Sequence, residues 1–134
     1  MELDLDSALE GTGLTPYRVH HAGEPKRGSR PDGEKWHTSG FSLAVSNASW
    51  GDLRKQVADA CEFLDLHTDT LRILRERTSV GDMRLDFPVT IRIAQEVAAQ
   101  FEFFPPELVA RAGMLRIGIE LSLYPAGEQA GDAG

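Results

Sequence analysis

Three stretches of the chain alternate apolar and polar residues with period two. Leu115, Ile117, Ile119, Leu121 and Leu123 alternate with Arg116, Gly118, Glu120, Ser122 and Tyr124. Met83, Leu85, Phe87, Val89, Ile91 and Ile93 alternate with Arg84, Asp86, Pro88, Thr90 and Arg92. Phe41, Leu43 and Val45 alternate with Gly40, Ser42, Ala44 and Ser46. Such alternation predicts strands with one buried and one wet face. It points to a largely antiparallel sheet, because strands covered on both faces read as continuous apolar runs. Pro88 has no N–H, so its strand is expected at an edge or bulged there. Shorter strands are expected at 17–21 and at 101–103, the latter returning as a hairpin from residue 93.

A different period separates these strands. Trp50, Leu53, Val57, Ala60, Cys61 and Leu64 form one helical stripe. Ser49 followed by Asp52 resembles a capping box at its start. A break is expected near 66–68, after which Leu71, Leu74 and Thr78 continue a helical face, with Gly81 close to the stop. Pro106 at a first helical position opens a short helix ending at Gly113. Asp4 is a candidate cap for a first helix over 5–11, with Gly13 beyond its end.

The order of elements is that of an α+β fold. We expect a single antiparallel or mixed sheet of about four to six strands, with helices packed on one face, because each strand shows one apolar row. A ferredoxin-like or related split-βαβ topology is the preferred arrangement. One domain is expected over 1–124. Residues 125–134, PAGEQAGDAG, contain nothing apolar larger than alanine and read as a disordered tail. Residues 24–35, rich in Gly, Pro and mixed charge, read as a mobile surface loop.

The chain has 134 residues, 14 Lys and Arg against 21 Asp and Glu, and a net charge of −7. An acidic chain repels phosphate backbones, which argues against nucleic acid as a partner. No apolar run is long enough for a membrane span, and the acidic start MELDLDSALE is unlike a secretory signal. Its single cysteine, Cys61, excludes an internal disulfide and a cysteine-based zinc site, so a reducing cytoplasm is the simplest setting.

Little chemistry is written into the chain. His20 and His21 are adjacent and point to opposite faces of a strand, while His37 and His67 lie on other elements, and no metal-binding spacing connects them. Cys61 lies on the core stripe, where a thiol is inert. No GxSxG elbow occurs, and Gly11–Thr12–Gly13 follows an acidic helix rather than the strand that a phosphate loop requires. Asp59, Glu62 and Asp65 lie off the apolar stripe, and Lys55–Asp59 and Arg72–Glu76 are spaced as helical ion pairs. No catalytic residue, metal or cofactor is assigned. The wet sheet face, with Arg84, Asp86, Thr90, Arg92, Arg116, Glu120, Ser122 and Tyr124, reads either as a solvated face with cross-strand ion pairs or as a docking surface. Trp36, Arg84, Arg92, Arg116, Glu120 and Tyr124 are the candidate partner-binding residues, Trp36 reading equally well as a core or rim aromatic.

Several local strings resemble a bacterial family known as domain of unknown function 4279. They are Leu3–Asp4, Gly13–Leu14–Thr15–Pro16, Gly23–Glu24, Trp36 with Phe41–Ser42–Leu43, then Phe101–Glu102–Phe103 with Pro106–Glu107–Leu108 and Ala110–Arg111, and the strand 121–124. The resemblance spans about residues 3–124. It implies the fold and a bacterial origin. The family has no established activity, so no catalytic residue is carried over. Thr12 departs from the family's usual leucine. Members also begin with a strand before the first helix, so the resemblance implies an open sheet edge here, covered by a homodimer or by residues upstream of Met1.

Three functions follow in order of preference. The first is a non-enzymatic protein-interaction module, such as an immunity or toxin-neutralising protein, working as a homodimer or on another protein. The second is a small-ligand domain with a pocket between helix and sheet, lined by Trp36, Trp50 and a histidine. The third is an enzyme using His20, His21, His37 or His67 as acid or base. A histidine within reach of a carboxylate in a deep pocket would favour the third.

Overall fold

The structure is a computed structural model, and it describes residues 12, 14–26, 32–76, 81–93 and 98–126. The expected helix over 5–11, the centre of the 24–35 loop, and residues 127–134 of the tail lie outside the described residues. The fold is α+β. The described residues fall into two compact units, one up to Ala44 and the other made of Val45–Arg75 and the described residues from Gly81 onward.

In the first unit, β1 (Arg18–His20) pairs antiparallel with β2 (Gly40–Ser42), with Val19 opposite Phe41. β2 is shorter than the alternation over 40–46 suggested. Between the strands, the chain folds back on itself. The Gly23 N–H donates to the Trp36 carbonyl at 2.8 Å, the Trp36 N–H to the Glu24 carbonyl at 2.9 Å, and the Lys26 N–H to the Glu34 carbonyl at 2.8 Å. The Lys26 ammonium meets the Glu34 carboxylate at 3.0 Å. The described ends of the expected mobile loop are therefore tied to each other as an irregular hairpin.

In the second unit, α1 (Leu53–Leu66) starts at Asp52, whose carboxylate accepts the Lys55 N–H at 3.1 Å. Capping by Asp52 itself, rather than by Ser49, leaves Trp50 outside the helix. α1 buries Gln56, Val57, Ala60 and Leu64. The expected break falls at His67, with φ −113° and ψ 20°, and α2 (Thr68–Glu76) buries Leu71 and Leu74. Arg72 pairs at 3.5 Å with Asp69, one turn before it, rather than with the expected Glu76, one turn after.

β3 (Arg84–Thr90) is joined through α3 (Pro106–Met114) to β4 (Gly118–Tyr124), and the two strands run parallel, Phe87 opposite Leu121. A parallel pair needs a long crossover, which α3 and its flanks supply. The described strands thus form two two-stranded sheets rather than a single one of four to six strands. Alternation reports which face is covered, not which way the neighbouring strand runs, so the antiparallel expectation fails for β3 and β4. These two are also direct neighbours, whereas a split-βαβ arrangement keeps another strand between them.

The core of this unit joins Val57, Ala60 and Leu64 of α1, Leu71 of α2, Phe87 of β3, Leu108 and Ala112 of α3, and Leu115 and Ile117. Cys61 packs against it, partly buried. Residues 101–103 form no strand.

The turn into β4 corrects a further expectation. α3 runs through Gly113 to Met114. The Ile117 N–H reaches back to the Ala112 carbonyl at 2.8 Å, and the Arg116 N–H to the Gly113 carbonyl at 3.1 Å. This is the bond pattern of a Schellman cap, and Arg116 takes its left-handed position at φ 55°. Arg116 therefore lies in the helix cap and not on the strand's wet face.

Candidate functional site

Hydrogen-bond direction along β3 decides which strand edges are occupied. Met83 and Ile91 bond β4, through the Gly118 N–H and the Tyr124 carbonyl, each at 2.8 Å. A strand residue points its N–H and C=O to one side, so odd positions of β3 serve β4 and even positions face away. Pro88 is an even position, so its missing N–H costs the ladder nothing. Its carbonyl accepts the Gln56 side-chain N–H at 2.9 Å. The Thr90 N–H donates to the Trp50 carbonyl at 3.1 Å, and the Thr90 carbonyl accepts from the Gln100 side chain, also at 3.1 Å. The Pro88–Thr90 end of the outer edge of β3 is thereby covered.

β4 is arranged differently. Gly118 and Tyr124 bond β3, so the N–H and C=O of Ile119, Leu121 and Leu123 face outward, and no described strand pairs with that side. The side chains of these residues share the face of Phe87 and Val89. Phe87 and Val89 are buried, whereas Leu121 is 39% and Leu123 55% exposed. The helices cover β3 and the start of β4 and leave the end of β4 open. Phe101 and Phe103, before α3, are 89% and 73% exposed.

On the opposite face the ion pairs run diagonally across the register, in which Arg84 lies opposite Gly118 and Asp86 opposite Glu120. Arg84 pairs with Glu120 at 2.9 Å and with Asp82 at 2.7 Å. Asp82, first by hydrogen bond and then by charge, raises the already high Arg84 pKa, and Glu120 adds to it. Ser122 donates to Asp86. Tyr124, opposite Thr90, stacks on Trp50 with ring centroids 4.4 Å apart. Arg92 lies beyond β3 and holds Glu102 at 3.1 Å, while Gln100 bonds the Arg92 N–H at 2.7 Å and Glu102 at 2.8 Å. Five of the six candidate partner-binding residues thus belong to this unit. Arg84, Glu120 and Tyr124 form one face, Arg92 extends past it, and Arg116 sits in the helix cap.

The sixth, Trp36, belongs to the first unit. Its ring stacks on His20 at 3.8 Å, and Lys26 Nζ lies 5.2 Å from the ring centroid. Arg18, Val19, His20, Glu24, Pro25, Lys26 and Trp36 line a half-open cavity of about 410 Å³. Gly40 backs the His20 imidazole closely: a Cβ there would lie 2.8 Å from Cε1. His21 Nδ1 lies 2.9 Å from Glu24 Oε1, which also accepts the His21 backbone N–H at 2.6 Å. The side-chain bond, then the backbone bond, hold the Glu24 carboxyl below the usual range. His21 does not line the cavity, and the pair closes a four-residue turn on the surface. No residue of α1 and not Trp50 lines this cavity, so it is not the expected pocket between the long helix and the sheet, and it shares with that expectation only Trp36 beside a histidine.

Elsewhere, His67 packs against Phe63 at 4.6 Å. No group of three or more His, Cys, Asp or Glu among the described residues is placed to hold a metal ion. No helix among the described residues is long and apolar enough to cross a membrane. Gln56 and Gln100, which organise the outer edge of β3, had no sequence signal, since amides that bond backbone carbonyls leave no periodic trace. No family model, curated protein or solved structure matches the chain.

Proposed function

We propose that the protein is a non-enzymatic interaction module that docks through β4. The observation that carries this reading is the exposure of Leu121 and Leu123 on a strand whose outward backbone groups meet no described strand. Unpaired strand edges recruit another chain by backbone hydrogen bonds, and exposed apolar side chains add burial. Arg84, Glu120 and Tyr124, on the polar side of the same strands, would supply the rim contacts. Membership of the domain of unknown function 4279 family, a cytoplasmic setting and a toxin-neutralising role are the narrower forms of the proposal. The test is affinity capture from the source cells with the wild type and with Leu121→Lys/Leu123→Lys. A partner retained by the wild type and lost by the variant supports docking through β4. Equal capture by both proteins refutes it.

A second reading rests on the His20–Trp36 cavity. Its volume falls within the range of small-molecule sites, and Arg18 and Lys26 outnumber the one carboxylate of its wall, Glu24, which favours an anionic group on the ligand. Ligand-detected NMR against a panel of small carboxylates and phosphates checks it, with Trp36→Ala as the control that should abolish any signal.

A further inference from the structure

We infer that the occupant of the β4 edge is the β4 strand of a second copy of this chain, paired antiparallel about a two-fold axis at Leu121. The inference rests on the docking reading above and names its partner. Its basis is the self-complementarity of the strand. The outward-facing residues are Ile119, Leu121 and Leu123, and the same residues form the apolar row of β4.

With the axis at Leu121, Leu121 faces the partner's Leu121, and Ile119 faces the partner's Leu123. These are all hydrogen-bonded pairs, so every outward N–H and C=O of the three residues is satisfied across the axis. The apolar rows of the two copies then join into one, covering leucines that are otherwise open to water. On the other face Glu120 meets the partner's Ser122, a carboxylate opposite a hydroxyl. At the strand ends Tyr124 meets the partner's Gly118, where the absence of a side chain leaves room for the ring. All seven residues of β4 are paired.

Neighbouring registers of the same hydrogen-bond phase are worse. An axis at Glu120 sets that carboxylate directly against its own copy, and like charges in cross-strand positions repel. An axis at Ser122 shortens the paired length and leaves Ile119 without a strand partner. Charge and pattern together select the Leu121 register.

Sedimentation equilibrium of the full chain over a wide concentration range tests this, alongside Leu121→Lys, with circular dichroism to confirm that the variant folds. Twice the chain mass is expected for the wild type, with a dissociation constant raised more than about tenfold by Leu121→Lys, which places two ammonium groups on the axis. In a Cys61→Ala background, Leu121→Cys should oxidise to a covalent dimer, because a hydrogen-bonded antiparallel pair holds the two Cα atoms about 5.5 Å apart, within disulfide range. A wild type that stays monomeric overturns the inference, and if Leu121→Lys then lowers its melting temperature, a segment of the chain itself covers the edge. A dimer that Leu121→Lys leaves intact, or a Leu121→Cys protein that does not cross-link, overturns it as well. A monomer that still captures a foreign protein through β4 loses this inference and keeps the docking reading.

Discussion

The Gln56 side-chain amide, buried in α1, bonds the carbonyl of Pro88 at 2.9 Å and that of Ser49 at 3.2 Å. One side chain thereby joins the start of the helix to the outer edge of β3. Replacing it with leucine keeps the volume and strands two carbonyls. Gln56→Leu is expected to cost about 1–3 kcal/mol, the penalty of buried acceptors left without a donor. Gln56→Glu should cost at least as much, because a carboxylate donates nothing and faces two carbonyl oxygens. Urea melts of the two variants check this, and a loss under half of the lower figure for both would remove the amide from its structural role.

Leu64 is 1% exposed, at the centre of the core shared by α1, β3 and α3. Leu64→Ala should cost about 2–5 kcal/mol through lost burial and a residual cavity. Leu53 only packs at the margin of the same core, so Leu53→Ala should cost clearly less. Equal losses at both sites would contradict the position of the helix.

Arg116 holds a left-handed conformation that glycine adopts freely. Arg116→Gly should stabilise the protein by about 0.5–1 kcal/mol, the relief of strain exceeding the extra freedom gained by the unfolded chain. A destabilised variant would mean that the arginine side chain contributes more than its backbone costs.

Asp59 accepts the Ser46 hydroxyl and, at 2.9 Å, the Lys55 ammonium. These two partners, Ser46 first, hold its carboxyl below the usual aspartate range. A carboxyl lowered by folding stabilises the native state above its unfolded pKa, and this contribution is lost as the pH falls through the folded value. Ser46→Ala should therefore raise the Asp59 pKa, seen by carbon-detected NMR titration, and flatten the acid limb of stability against pH. An unchanged titration would show that Lys55 alone sets the value.

Gly40 leaves no room for a methyl group behind the His20 ring. Gly40→Ala should push the imidazole from Trp36 and cost about 1 kcal/mol, at the low end for overpacking because a side-chain tip can move. In a Trp50→Phe background the Trp36 emission should shift to longer wavelength. Unaltered emission would show that the stack survives the intrusion.

The sequence made the inward rows of β3 and β4 legible because burial on one face imposes period two whatever the strand's neighbours do. Strand direction was not legible for the same reason. The helix over Leu53–Leu66 was found from its stripe, yet Trp50, in phase with that stripe, lies outside it: phase marks a face and not a boundary. Glycine's preference for helix stops singles out Gly113, whereas the left-handed cap position holds Arg116. Of the candidate site, the shared face of Arg84 and Glu120 followed from alternation, and the stacking of Trp36 on His20 did not, since it depends on a chain reversal between β1 and β2 that no periodicity records.

The covered outer side of β3 has a consequence for stoichiometry. Gln56, Trp50 and Gln100 occupy that side at Pro88 and Thr90, so a strand running the full length of the sheet can add at β4 and not there. Two copies that meet at β4 each spend their growing end, and the four strands they share terminate in two capped ones. A dimer formed there would be a finite pair instead of a filament. Stripping the amide from position 56 would free the Pro88 carbonyl while Trp50 and Gln100 still hold Thr90, so that a stability variant would remain unable to add a third copy.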